Sequence, residues 1–314
     1  MNPFTGLYTA TTAVRNVLFD RGVFVARKLR RPVVSVGNLS VGGTGKTPFV
    51  IALGELLKER GVSFDVLSRG YRRRTRGVLV VEPDGSAADF GDEPLLIARR
   101  LGVPVIVGES RYMAGHVAEA KFNSELHILD DGFQHRRLSR DFDIVLMTGR
   151  DFGDKLLPSG RLREPLSSLK RADAIVLPAE VAADSLALKG NVVWRFRRQL
   201  VLPTIAKTPV VFCGIARPDQ FFAQVRGVGF TPAAEVSFRD HHAYGRRDVE
   251  RLVAKKEEVG ADGFVTTEKD AVNLGPLQSE LRPLAIARLT MTFEESAGVV
   301  DTILETIRNR KLRT

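Results

Sequence analysis

The residues best suited to chemistry lie where the first apolar run ends. Gly37-Asn38-Leu39-Ser40-Val41-Gly42-Gly43-Thr44-Gly45-Lys46-Thr47 follows residues 33–36 and opens onto Pro48. In such a loop, glycines let backbone N–H groups approach phosphate oxygens, a lysine reaches the β and γ phosphates, and a threonine hydroxyl ligates magnesium. The spacing predicts a phosphate-binding loop in which Gly42, Gly43, Thr44, Gly45, Lys46 and Thr47 hold a nucleotide. One position departs from the usual pattern, because Ser40 stands where a glycine is expected six residues before the lysine. A ligand-free glycine-rich turn is the plain alternative, and the strand–loop–helix setting argues against it.

A phosphate loop also needs an acid at the end of a neighbouring strand to position magnesium. The run 126–129 ends in Asp130-Asp131. Alone, two acids after a strand read as a turn or a helix cap; beside a phosphate loop the metal reading prevails, with the direct ligand left open. No Asn-Lys-x-Asp element for guanine is present, since Lys269-Asp270 lacks the intervening residue. Adenine is the expected base, and ATP with Mg2+ the expected cofactors.

The elements that must position these groups show an alternating rhythm. Short runs rich in valine and isoleucine fall at 33–36, 62–67, 103–107, 126–129, 144–147, 174–177 and 210–213, with helical stretches such as 48–60 and 94–100 between them. Continuous runs of this length suit parallel strands buried on both faces, and the alternation predicts an α/β fold with a mostly parallel sheet. The rhythm fails between 179 and 208, around Pro203, which is where a domain junction is expected.

With 314 residues, 44% hydrophobic and 27% charged, the chain can bury a sizeable core, which excludes an intrinsically disordered protein. Its lone Cys213 excludes a disulfide framework and a multi-cysteine metal site, and fits a reducing, cytosolic compartment. The net charge of +10 is clustered. Residues 1–31 carry six basic side chains against Asp20 alone, Arg69 to Arg76 holds five arginines and no acid, and the tail from Arg308 adds four basic residues. Phosphates, nucleic acid or an anionic membrane would each suit such patches. No nucleic-acid motif accompanies them, and aromatics form only 7% of the chain, so a nucleic-acid partner is not expected.

Residues 1–14 carry no charge and are too short for a span, which needs ~20 apolar residues. Basic residues follow this stretch, whereas a secretory signal places them before it. If helical, Phe4, Leu7, Tyr8, Val14, Leu18, Val25 and Leu29 share one face, on which Arg15 intrudes. Such a helix could pack on its own domain or lie in a membrane interface.

Asp130-Asp131-Gly132-Phe133-Gln134-His135, continuing through Arg136, Arg137, Leu138, Arg140 and Asp141, resembles the signature of the tetraacyldisaccharide 4'-kinases, the lipid A 4'-kinases of Gram-negative bacteria. Further blocks agree: Ser68-Arg69-Gly70-Tyr71, Gly91-Asp92-Glu93-Pro94, Leu162-Arg163-Glu164-Pro165, Phe238-Arg239-Asp240-His241 and Thr267-Glu268-Lys269-Asp270. The resemblance implies transfer of the γ-phosphoryl group of ATP to the 4'-hydroxyl of a tetraacyldisaccharide 1-phosphate glycolipid, by a monotopic enzyme on the cytosolic face of the inner membrane. No protein partner is implied.

The same resemblance implies an N-terminal membrane-associating helix over 1–31, a P-loop kinase core over 32–200, and a smaller C-terminal α/β domain over 201–314 whose final helix returns to the core. It also implies Asp92 as the base, His241 as its orienting partner with His242 left as an alternative, and Arg163 beside the transferred phosphate. Glu164 would join Asp130, Asp131 and Thr47 in the metal network. Arg69, Tyr71, Arg111 and Gln134 would meet substrate, and the run Arg69 to Arg76 its anions.

Overall fold

A computed structural model describes residues 3–181, 191–203 and 206–312 of the chain. The strands are β1 (Val33–Asn38), β2 (Phe64–Ser68), β3 (Leu79–Val80), β4 (Val105–Val107), β5 (Leu126–Asp130), β6 (Phe142–Leu146), β7 (Ala174–Pro178), β8 (Val192–Val201), β9 (Val210–Cys213), β10 (Ala234–Ser237), β11 (Phe264–Thr267) and β12 (Leu284–Phe293). They form one sheet in the order β10-β9-β11-β12-β8-β7-β6-β1-β5-β2-β4-β3 among the described residues. Its pairings are parallel except β3 with β4 and β8 with β12. The fold is therefore a mixed, mostly parallel α/β sheet, and all seven apolar runs of the sequence lie on its strands. The helices are α1 (Pro3–Asp20), α2 (Lys46–Glu59), α3 (Ala87–Phe90), α4 (Asp92–Leu101), α5 (Arg111–Lys121), α6 (Pro218–Gly227), α7 (Arg246–Glu258), α8 (Glu268–Leu274) and α9 (Ala297–Lys311).

Every residue of β1, β2, β5, β6 and β7 is buried, because helices cover both faces and branched aliphatic side chains pack there without exposing backbone. β8 and β12 behave differently. Each spans ten residues, and burial tends to alternate along them as Trp194, Phe196, Leu200, Met291 and Phe293 turn inward. In β8 the apolar start is only Val192-Val193-Trp194 before charged residues interleave, so the sequence rhythm is lost there. The expected boundary at 200 falls inside β8, and residues 182–190 and 204–205 of the expected junction lie outside the described residues.

After β12 the chain returns to the first half. Val299, Val300, Ile303 and Ile307 of α9 join the core containing Phe49, Phe142 and Trp194. Arg310 donates to both the Asp173 carboxylate and the Asp141 carbonyl, so this part of the basic tail is docked on the sheet. At the other end, α1 stops at Asp20. Val25 and Leu29 are therefore not on the helical face expected over residues 1–31: Val25 is exposed, and Leu29 is buried against Gly115.

The turn that carries Asp131 toward the phosphate loop depends on close approach at Gly37. A Cβ there would lie 2.6 Å from Phe133 Cβ and 2.8 Å from its backbone nitrogen. Gly37→Ala should destabilise the protein by about 1–3 kcal/mol through overpacking, read as a lower urea midpoint. An unchanged midpoint would show that Phe133 can yield.

Candidate active site

The phosphate loop lies between β1 and α2, as expected for a chain leaving a buried strand and entering a helix. Gly42 and Gly45 have φ of 100° and 88°, left-handed values that only glycine adopts without strain. Ser40 has no such backbone, which is why a serine serves at the departing position; it is fully buried and bridges to Leu162. Asn38 braces the loop from within, its Nδ2 donating to the Ser40 carbonyl at 2.6 Å and to Thr44 Oγ1 at 2.9 Å. Lys46 Nζ donates to Asn38 Oδ1 at 3.2 Å and lies 3.3 Å from Asp131 Oδ1.

The two acids after β5 divide their tasks. Asp130 is buried, Ser68 donates to its Oδ2 at 3.0 Å, and its Oδ1 has no hydrogen-bond partner. Burial, with Glu93 and Asp131 nearby, pushes its carboxyl up to about 7. An orphaned, electron-rich oxygen next to a phosphate loop fits a divalent cation, because such an oxygen is costly without a partner. Asp131, at a left-handed φ of 52°, instead pairs with Arg163 Nη1 at 3.1 Å and with Lys46. Burial would raise its carboxyl, but Lys46 and Arg163 hold it below the usual range.

Across the cleft, Asp92 is the first residue of α4 and only 4% exposed; Gly91, not Asp92, occupies the cap. Of the adjacent histidines, His241 places Nδ1 2.8 Å from Asp92 Oδ2, whereas His242 points to Asp248 at 3.0 Å. Lys269 Nζ lies 3.1 Å from His241 Nε2. An ammonium can only donate, so Nε2 accepts and the ring proton sits on Nδ1, aimed at Asp92. Asn273 Nδ2 donates to the same carboxylate at 3.0 Å. Burial alone would raise the Asp92 carboxyl, yet His241, Lys269 and Asn273 together hold it below the usual range. Burial likewise works against the charge of Lys269, and Asp92, Glu93 and Asp240 raise it again.

These groups line one cleft of about 630 Å³, which includes residues 41–48, Asp92, Asp130, Asp131, Arg163, His241 and Lys269. Arg69 and Tyr71 also line it; Tyr71 is exposed and meets the His241 ring edge-on at 5.2 Å. Three expected site residues do not line it. Glu164 is fully buried, and its carboxylate is taken by Arg171, Asn16 and Arg15, so it is not available as a metal ligand. Arg111 is buried and donates to the carbonyls of Gly108 and Glu109, outside the lining of the cleft. Gln134 donates to the Asn38 carbonyl and accepts from Arg163, which braces the loop.

Lys269 and Asn273 had no role in the sequence reading. Their signal is the i, i+4 spacing on α8, which puts both side chains on one helical face and so against Asp92. Arg198 of β8 was missed too. It donates to the Thr44 carbonyl and so ties the phosphate loop to that strand. A loop that cradles phosphates, an acid pair suited to a cation, and an ionised buried carboxylate facing them can together support transfer of a phosphoryl group to a hydroxyl.

The comparisons with known proteins agree in one direction. Residues 1–308 match the family described as tetraacyldisaccharide-1-P 4'-kinase. The tetraacyldisaccharide 4'-kinase of Koribacter versatilis is 48% identical, over 99% of this chain and 100% of its own length. That of Geobacter metallireducens is 41% identical over 91% of each chain. Among solved structures, LpxK from Aquifex aeolicus in complex with ATP superposes with a TM-score of 0.81 at 34% identity, covering 97% of this chain and 98% of that one. The chain belongs to the tetraacyldisaccharide-1-P 4'-kinase family.

Proposed function

We propose that in this chain, an ATP-dependent tetraacyldisaccharide 4'-kinase, Asp92 accepts the proton of the 4'-hydroxyl as that oxygen attacks the γ-phosphorus, whose bond to the β–γ bridging oxygen breaks so that ADP leaves. The observation that carries this reading is the buried Asp92–His241 pair at 2.8 Å, in the cleft that also holds the phosphate loop. A sugar hydroxyl is a weak nucleophile, and an ionised, oriented carboxylate is a fitting acceptor for its proton. His241 orients that carboxylate, and Lys269 fixes the histidine tautomer. Lys46 and Arg163, paired through Asp131, are placed to meet charge on the transferred group. Thr47 and the orphaned Asp130 oxygen would hold Mg2+, which when bound neutralises charge on the phosphates. Arg69 and Tyr71 would contact the disaccharide.

The division into a P-loop half and a C-terminal half belongs to the same reading. Asp92 comes from the first and His241, Lys269 and Asn273 from the second, so the base is complete only when the halves meet.

Attachment to the cytosolic face of the bacterial inner membrane is part of the proposal. Among the described residues no helix is long and apolar enough to cross a membrane. Support comes from the exposed Leu7, Val14, Val17, Val23, Phe24 and Val25, which share the first 31 residues with Arg21, Arg27, Lys28, Arg30 and Arg31. A phospholipid surface matches both properties, and it is where a tetraacylated substrate resides.

Asp92→Asn should lower kcat by about a hundredfold to ten-thousandfold, as for loss of a general base, with a near-native melting temperature; near-native turnover would remove Asp92 from the mechanism. Asn273→Ala takes away one of the donors that lower the Asp92 carboxyl. Because the base is lost as pH falls through its pKa, the acid limb of kcat/KM should move to higher pH, and a limb that stays in place would contradict the assignment. Leu7→Asp with Val25→Asp should weaken co-sedimentation with anionic phospholipid vesicles about tenfold or more, and unchanged recovery would exclude this surface as the attachment site.

A further inference from the structure

The two sides of α1 serve different neighbours. Leu7, Val14 and Val17 face solvent. On the other side, the helix is hydrogen-bonded to the Arg163-Glu164 dipeptide, whose first side chain reaches the cleft. The Tyr8 hydroxyl donates to the Arg163 carbonyl at 3.0 Å. Asn16 Nδ2 donates to Glu164 Oε2 at 2.8 Å, and Arg15 Nη2 lies 3.4 Å from Oε1. The third partner comes from the core: Arg171 donates to Oε2 at 2.7 Å while lying 4.4 Å over the Phe133 ring. The Thr5 and Ser159 hydroxyls meet at 2.5 Å, and Arg136 ties the Asn16 carbonyl and the Asp20 carboxylate.

Glu164 is fully buried, so removing its partners would strand a desolvated carboxylate. Two of those three partners belong to α1. A displaced helix therefore forces Glu164 to move toward water or to protonate, and either displaces the neighbouring residue. Arg163 is sensitive to this. Its pairing with Asp131 is partly open to solvent, with side chains 27% and 37% exposed, so the backbone largely fixes where the guanidinium starts. That backbone is held by Tyr8 at its carbonyl and by the Leu39 carbonyl, which accepts from its N–H at 2.6 Å.

We propose that α1 is a positioning element for Arg163: through the buried Glu164 clasp and the Tyr8 hydrogen bond, its seating sets the guanidinium against the transferred phosphate, so Tyr8 and Asn16 govern turnover separately from membrane attachment. The inference rests on the role proposed for Arg163. It treats Tyr8 and Asn16 as positioning residues, remote from the reacting atoms.

The test uses the full chain with ATP and tetraacyldisaccharide 1-phosphate in detergent micelles, together with sedimentation on anionic vesicles. Tyr8→Phe and Asn16→Ala combined should lower kcat about tenfold or more, because small displacements of an aligned group are costly. The KM for ATP and vesicle recovery should stay native. Tyr8→Phe alone, which removes only a hydroxyl, should show the same split to a smaller degree, and Asn16→Gln, which keeps an amide donor, should recover part of the loss. Leu7→Asp with Val25→Asp should lower recovery, and its kcat in micelles should stay well above that of the Tyr8 and Asn16 pair. Native kcat in the Tyr8 and Asn16 variants would overturn the proposal, as would a joint fall of kcat and recovery in both pairs. Arg163→Lys separates the two readings. Native turnover there overturns the role of Arg163 itself, whereas low turnover there with native turnover in the clasp variants overturns the clasp alone.

Discussion

Asp92 is buried and yet held in its ionised form, and the groups that hold it arrive from the far end of the chain. His241, Lys269 and Asn273 lie about 150 to 180 residues away in sequence, so the sheet must bring its two ends to one rim before the carboxylate can exist as such. The β8–β12 pair does this. It is antiparallel where most of the sheet is parallel, and it joins β11, the strand that launches α8, to the strands around β1. Lys269 and Asn273 are then one helical turn apart on α8, which packs against α4. A local cap could have satisfied Asp92 more simply; this arrangement makes its ionisation depend on tertiary structure.

The phosphate-loop side solves a related problem with opposite charges. Lys46 and Arg163 are cations brought close together before any anion arrives, and Asp131 keeps that juxtaposition tolerable by pairing with both. Its left-handed backbone is what turns its carboxylate toward them. Asp130, one residue earlier and still in the strand, points elsewhere and keeps an oxygen without a partner. Two identical side chains in succession thus acquire different environments because one continues the extended strand and the next leaves it. Their shared sequence context contains no hint of that division, which is why the sequence leaves the metal ligand open.

What was legible in the sequence follows the same line. The phosphate loop is local and its glycines and lysine act through spacing, so it could be read directly; the buried parallel strands announce themselves as apolar runs. Asp92, His241 and Arg163 were accessible only through resemblance, since nothing around each residue distinguishes it from a cap, a loop histidine or a surface arginine. Glu164 illustrates the opposite error. An acid within a motif invites a metal, but its burial among Arg171, Arg15 and Asn16 depends on α1 docking 150 residues earlier in the chain, a long-range contact that motif reading cannot contain. β8 was lost because alternating burial looks irregular to a search for continuous runs.

The arginine run from 69 to 76 shows how far charge counted along a sequence can mislead. Read as a patch, it supplies five cations to substrate anions. In the fold, Arg73 is withdrawn, its side chain 3% exposed and bonded to Glu109 and the Gly77 carbonyl. Arg72, at a left-handed φ of 60°, donates to the Asp240 carbonyl at 2.7 Å and so ties this loop to the segment carrying His241. Arg69 and Arg72 line the cleft, and the second is already engaged. Arg111, expected at the substrate, stays inside near Arg69; burial and then that neighbour lower its affinity for a proton. The positive field at the cleft is therefore set by which guanidiniums the folded loop brings to it and which it pairs with carboxylates. Composition records only their number.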